Sequence, residues 1–159
     1  DVAIRMKEPS QADLIRKRLM VIRMQLFANP QYLEERGRPK TLEDLRQHRI
    51  ICQQTGAAQV AAGARIVQEI LAQEPASTLK VNNYFGVLQG VLNNLGIGVL
   101  PEYLTPDFPH LERVIPGFES EEVPVFLAYP EELRHSKRVS AFRDFVMDEV
   151  MAHRRNVRE

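Results

Sequence analysis

The stretch Leu79-Lys80-Val81-Asn82-Asn83-Tyr84-Phe85-Gly86-Val87-Leu88-Gln89-Gly90-Val91-Leu92-Asn93-Asn94-Leu95-Gly96-Ile97-Gly98-Val99-Leu100-Pro101 decides the fold. Leu79 to Val81 reads as a short strand. Tyr84, Leu88, Val91, Leu92 and Leu95 then recur at i, i+4, i+7, i+8 and i+11, the spacing of one helical face. Gly96 is expected to stop that helix. Ile97 to Leu100 is a continuous apolar run, read as a strand buried on both faces, and Pro101 closes it. Strand, helix, strand in this order is the unit of an α/β sheet.

Working outward, the same alternation continues. Val2 to Ile4 reads as a strand. Leu14 to Leu19 and Val21 to Ala28 read as two more. Asn29-Pro30 starts a helix, because Asn accepts from free N–H groups and Pro suits the first helical position; Gly37 stops it. Thr41 with Asp44 three residues on marks a second short helix. Ile50 to Cys52 is a strand, and a helical stripe of Val60, Ala64, Val67, Ile70 and Leu71 runs from about Ala58 to Gln73. Leu111 to Ile115 and Val123 to Tyr129 read as strands. Ser136 to about His153 is a last helix, with Val139, Phe142, Phe145, Val146, Glu149 and Val150 on one side. The expected class is α/β with largely parallel pairing.

The 159 residues suffice for one ordinary domain or two small lobes. With 44% hydrophobic residues a packed core is expected. Lys and Arg (21) balance Asp and Glu (21), so this segment lacks the positive excess that grips phosphate backbones. The run Arg16-Lys17-Arg18 is too short to change that and reads as a solvated strand edge. A single cysteine, Cys52, rules out an internal disulfide. No run of about 18 apolar residues is present to span a membrane.

Residues that carry chemistry are sparse. His48, His110, His135 and His153 show no metal-ligand spacing, and Cys52 reads as a small buried hydrophobe. Gly96-Ile97-Gly98 ends a helix instead of opening one, so it is not a dinucleotide fingerprint. What remains is the junction Val81-Asn82-Asn83-Tyr84 between strand and helix. Open α/β sheets bind ligands beyond the carboxyl ends of their strands, and a helix start offers free N–H groups to an anion. One Asn acting purely as the helix cap accounts for the same residues.

Several pieces together resemble one family. Asp1-Val2-Ala3-Ile4-Arg5, then Leu26-Phe27-Ala28-Asn29-Pro30 with Tyr32-Leu33, match it in order and spacing. So do Pro39-Lys40-Thr41-Leu42-Glu43-Asp44-Leu45 with His48, Gly96-Ile97-Gly98-Val99-Leu100-Pro101-Glu102-Tyr103-Leu104, and Val123-Pro124-Val125 before a final amphipathic helix. The chain resembles the effector-binding domain of LysR-type transcriptional regulators over nearly its whole length. The resemblance implies two Rossmann-like lobes of the periplasmic-binding-protein type, the first incomplete here. Residues 1–9 would hold the end of a first-lobe strand and a hinge at Met6 and Pro9. Residues 10–121 would form the complete second lobe, and 122–159 a second hinge at Val123 and Pro124 and the return to the first lobe. The opening on a core-like strand fits a fragment of a longer chain.

The resemblance further implies a small-molecule effector, potentially an anion, between the lobes. Carried onto this sequence, its ligands are Arg5, Gln53, Gln54, Thr55, Asn82, Asn83 and Tyr84. Arg5 serves equally well as a surface ion-pair partner. The Asn-Asn-Tyr form departs from the family's commoner Asn-Asp. DNA binding would belong to a helix-turn-helix domain outside this chain, in a cytoplasmic homodimer or homotetramer, with no catalysis, cofactor or metal. The alternatives are a solute-binding protein for uptake and an oligomerisation domain without ligand.

Overall fold

The computed structural model describes residues 2–6, 11, 13–54, 64–104, 106–120 and 122–156. Two compact units emerge, Asp1–Ile22 with Glu122–Glu159, and Arg23–Glu121. The chain therefore passes from one to the other twice, after Ile22 and after Glu121.

The first unit is built from both ends of the chain. Strands β1 (Ala3–Arg5) and β2 (Leu14–Ile22) flank β8 (Val123–Pro130) in a three-stranded sheet of order β1-β8-β2, antiparallel throughout. Its buried side chains include Leu19, Ile22, Val123, Leu127 and Tyr129. Helix α4 (Lys137–Asn156) contributes Val139 and Val146, two turns apart on one line. Phe142 and Phe145, expected on that same side, are 42% and 61% exposed. They lie roughly 50° and 110° round the helix from the line of Val139 and Val146, which takes them off its buried face.

The second unit carries a five-stranded sheet of order β5-β4-β6-β3-β7. Its strands are β3 (Met24–Ala28), β4 (Arg49–Gln53), β5 (Ser77–Val81), β6 (Ile97–Pro101) and β7 (Glu112–Glu119). Strand β4 pairs in parallel with β5 and β6, whereas β3 runs antiparallel to both β6 and β7. The expectation of largely parallel pairing is thus corrected: only the pairs that β4 makes with β5 and β6 are parallel. Strand β3, although a helix follows it before β4, runs against both its neighbours as the chain enters the unit.

Alternation along the strands builds two cores. Met24, Leu26, Ala28, Ile50, Cys52, Ile97 and Val99 face one side, against α1 (Pro30–Arg36) and α2 (Ala64–Leu71). Phe27, Ile51 and Leu100 face the other, against Val87, Leu88 and Val91 of α3 (Tyr84–Leu92). Helices on opposite faces define a doubly wound sheet. Close approach of α3 requires two glycines. A Cβ on Gly90 would lie 2.9 Å from Ile51 Cδ1, and one on Gly98 would collide with Val91 and Val87.

Helix ends follow local chemistry. Asn29 caps α1 through its side-chain oxygen, with Pro30 next. Helix α3 does not run to Gly96. It ends at Leu92, where Asn94 at φ 59° takes the left-handed turn. Leu95 N–H then donates to Gly90 O (3.0 Å) and Asn94 N–H to Val91 O (3.1 Å), the paired bonds that satisfy a helix C-terminus. Asn is the non-glycine residue best suited to that turn.

The domain boundary expected at residue 9 is where the sequence reading and the structure differ. Leu14 to Ile22 forms one long strand on β8, including Ile22 opposite Val123 and Val21 opposite Pro124. A strand hydrogen-bonded along its length to β8 belongs with β8, so the first crossing falls after Ile22. Pro9 lies outside the described residues; Met6 is exposed, just past β1. Val123 and Pro124 are paired residues of β8 next to the second crossing.

Candidate functional site

The parallel strands β4, β5 and β6 all end at one edge of the second unit's sheet. The antiparallel β3 begins there and β7 finishes there, since Met24 pairs with Pro101 and Gln25 with Glu119. Both chain crossings therefore leave from this carboxyl edge. Strand order also reverses here: β4 leads to β5 on one side, and the chain then returns to β6 on the other. Loops diverge at such a reversal and leave a crevice where ligands sit.

Five of the seven residues proposed from sequence meet at this edge: Gln53, Gln54, Asn82, Asn83 and Tyr84. Gln54 N–H donates to Val81 O (2.7 Å), which extends the β4–β5 ladder. Gln53 Nε2 donates to Asn82 O (3.2 Å), so the end of β4 holds the turn after β5. Gln53 Oε1 is buried without a hydrogen-bond partner among the described residues. Asn83 Nδ2 donates to Asn82 Oδ1, 2.6 Å away, and Asn83 Oδ1 accepts from Gly86 N–H (2.8 Å). Asn83 is thus the N-cap of α3, and its oxygen occupies one of the free N–H groups an anion would use. Asn82 and Gln54 are exposed.

Tyr84 follows the cap and folds against the α1–α2 core, across the sheet edge from its own helix. Burial raises its phenol pKa, and nearby Tyr103 raises it further; burial alone raises that of Tyr103. Both remain neutral hydrogen-bonding phenols near neutral pH. Tyr103 was not picked out from sequence. It follows Pro101, which closes the buried strand, and so carries no strand-end signal of its own.

Beside Tyr103, Glu102 closes the edge. Its carboxylate accepts from Arg23 N–H (3.1 Å) and Gln25 Nε2 (3.5 Å), and its own N–H donates to Arg23 O (2.9 Å). Ser120 reciprocates with Met24: Met24 N–H donates to Ser120 Oγ (2.8 Å) and Ser120 N–H to Met24 O (2.9 Å). The first and last turns of the second unit are therefore tied to each other.

Of the two remaining sequence candidates, one stands elsewhere. Arg5 is exposed on β1 of the first unit, opposite Phe126. Thr55 lies outside the described residues. Cys52 is fully buried, and burial pushes its thiol pKa up against a smaller opposing pull from Lys80, as expected of an inert core cysteine. Among the described residues no group of three or more His, Cys, Asp or Glu is placed to hold a metal ion, and no helix is long and apolar enough to cross a membrane.

A doubly wound sheet entered and left at its carboxyl edge, with amides and phenols gathered there, places the chain in the class of two-unit α/β folds that bind small ligands. The comparisons narrow the class. Residues 1–151 match the model of the LysR substrate binding domain, and the chain belongs to that family. An uncharacterised HTH-type transcriptional regulator of Haemophilus influenzae is 25% identical over 134 residues, 82% of this chain and 46% of that protein. The chain thus spans about half the length of this curated relative.

Among solved structures, the regulatory domain of CrgA, a LysR-type transcriptional regulator from Neisseria meningitidis, superposes with a TM-score of 0.72 at 19% identity, over 94% of this chain and 75% of that one. The full-length virulence activator AphB of Vibrio cholerae, described as a member of the same family, gives 0.63 at 17% identity over 92% and 50%. At these identities the likeness establishes the fold, that of LysR regulatory domains.

Proposed function

We propose that this chain is the small-molecule-sensing part of a bacterial LysR-type transcriptional regulator, and that its second unit contributes Gln53, Asn82, Tyr84 and Tyr103 to effector recognition. The observation that carries this is convergence. Amides and phenols from the ends of β4, β5 and β6 share the edge from which both chain crossings leave. A ligand bound at that edge acts where the units are linked. By preferring one conformation it shifts the population of the regulator, with couplings of about 1–3 kcal/mol in typical cases.

In this reading the hinge lies at the two crossings, beside Ile22 and Val123, with Thr55 and Arg5 as further ligand contacts. DNA recognition belongs to a helix-turn-helix domain elsewhere in the parent, which acts in the cytoplasm as a homodimer or homotetramer. No cofactor or catalytic step is assigned.

The edge offers hydrogen-bond donors and acceptors but few cations: Arg23, the basic residue at the start of β3, is already paired with Glu119 at 3.4 Å. The part of the effector facing this unit is therefore polar or aromatic and uncharged. The test is a thermal-shift screen of the full-length regulator against phenols, aromatic alcohols and the matching aromatic acids. A saturable shift, lost in Tyr84→Phe or Asn82→Ala, supports the reading. A hit that is indifferent to both substitutions overturns the assignment of this edge.

A further inference from the structure

The second unit has another concavity, at the opposite edge, where β4 and β5 begin and β6 is approached. Its volume is about 260 Å³, and Glu35, Arg36, Arg49, Ser77, Asn94 and Leu95 contribute to its walls. Small-molecule sites run from about 300 to 1,000 Å³, so an occupant here is small.

Both signs of charge face this space. Arg49 donates through Nε to Ser77 Oγ (3.0 Å), which leaves its two terminal nitrogens for a ligand. Arg36 has no ion-pair partner among the described residues. Among the described residues Glu35 is held only by neutral Gln31 Nε2 at 3.2 Å. The space also collects helix C-termini: α1 ends at Arg36 and α3 just before Asn94. Helix C-termini carry partial negative charge and favour a cation. Arg36 as a cation completing the last turn of α1 accounts for that residue alone. It does not account for Arg49, which begins a strand, or for Glu35.

Asn94 adds a further sign of incompleteness. Its Nδ2 donates to Gln31 Oε1 (2.8 Å), while its Oδ1 is buried with no partner among the described residues. A buried polar atom without a partner calls for a missing donor. Leu95, 42% exposed, supplies an apolar wall beside it.

We propose that this cavity binds a small zwitterion, an α-amino acid with an aliphatic side chain. Its carboxylate meets Arg36 and Arg49, its ammonium faces Glu35 and the helix C-termini, and its side chain lies on Leu95. A bare anion would confront Glu35 and the helix ends; a bare cation would confront two arginines. Only a ligand with both charges is matched at each end. The site is independent of the effector edge, and both can be occupied at once.

The test is calorimetric titration of the full-length protein with L-leucine, with L-leucinamide and 4-methylpentanoate as probes that each lack one charged end. L-Leucine is expected to bind saturably, and each truncated probe at least about tenfold more weakly. Arg49→Met keeps the backbone bond to Tyr32 and is expected to weaken leucine about tenfold, as is Glu35→Gln. Equal binding of 4-methylpentanoate, absence of saturable heat, or undiminished binding by Arg49→Met would overturn the proposal. So would loss of leucine binding in Asn82→Ala, which would move the ligand to the effector edge.

Discussion

Removing one oxygen from Tyr32 should uncouple a buried histidine from the fold. Tyr32 and His48 are 6% and 4% exposed. The Tyr32 hydroxyl accepts from Arg49 N–H (3.1 Å) and lies 3.3 Å from His48 Nδ1. We assign the hydroxyl proton to His48 Nδ1, which leaves the neutral imidazole's own proton on Nε2. Burial also pushes the His48 pKa down, while Asp44 pulls the other way. Tyr32→Phe strands the Nδ1 acceptor inside; Arg49, on the surface, recovers water. One buried acceptor left without its donor costs about 1–3 kcal/mol. At roughly 2–4 °C per kcal/mol for a chain of this size, the melting temperature should fall by about 2–12 °C near pH 7.5.

The pH dependence adds a sharper check. With its pKa lowered in the folded state, His48 takes up a proton first in the unfolded chain. Its contribution to stability is complete above the unfolded value of about 6.5 and is lost as pH falls toward the folded value. In Tyr32→Phe the neutral ring no longer receives a hydrogen bond, so its folded pKa moves back toward the ordinary one. The gap between the two proteins should narrow from pH 7.5 to pH 5, and comparing them cancels the other titrating groups. Melting curves across that range decide it. A gap under 1 °C at pH 7.5, or one that does not change on acidification, would refute the reasoning.

Asn83→Ala should lose the α3 cap and about 1 kcal/mol of stability. Asn83→Asp should restore it, so equal destabilisation by both in urea titrations would point to a role for the amide beyond capping. Gly98→Ala drives a methyl into Val91 and Val87 and should cost about 1–3 kcal/mol by overpacking; an unchanged urea midpoint would contradict the described seating of α3. Cys52 should be silent to a thiol reagent in native buffer and react fully in denaturant, given its complete burial. Stoichiometric labelling of the native protein would show that β4 opens readily.

Much of the second unit was legible because its signals are local. The cap at Asn29, a helix start at the Asn82-Asn83 pair, the apolar repeat from Tyr84 and the run Ile97–Leu100 each declare themselves within one or two turns of chain. The pairing directions and the first domain boundary were not. That Leu14–Ile22 belongs with β8 is a fact about residues a hundred positions apart, and nothing in its composition says which sheet it joins. Phe142 and Phe145 misled for a related reason: an apolar side chain near the helical stripe need not face inward. At this edge, strand-end reasoning points to Asn82 and the resemblance to Gln53, while Tyr103 follows a proline that closes its strand and so carries no strand-end signal of its own.

The reciprocal bonds between Met24 and Ser120 also bear on how the chain folds. Strands β2 and β8 must find each other across on the order of 100 intervening residues, a closure costing about 4 kcal/mol in chain entropy if those residues are loose. Once Arg23–Glu121 has folded, its two ends are already side by side, and Ile22 meets Val123 as if across a hairpin turn. The order of events is then built into the connectivity. The expectation is that the inserted unit, which must itself bring β3 onto β6 and β7, forms first and the sheet made from the chain's two ends condenses afterwards, so substitutions in the inserted unit's core should slow formation of both.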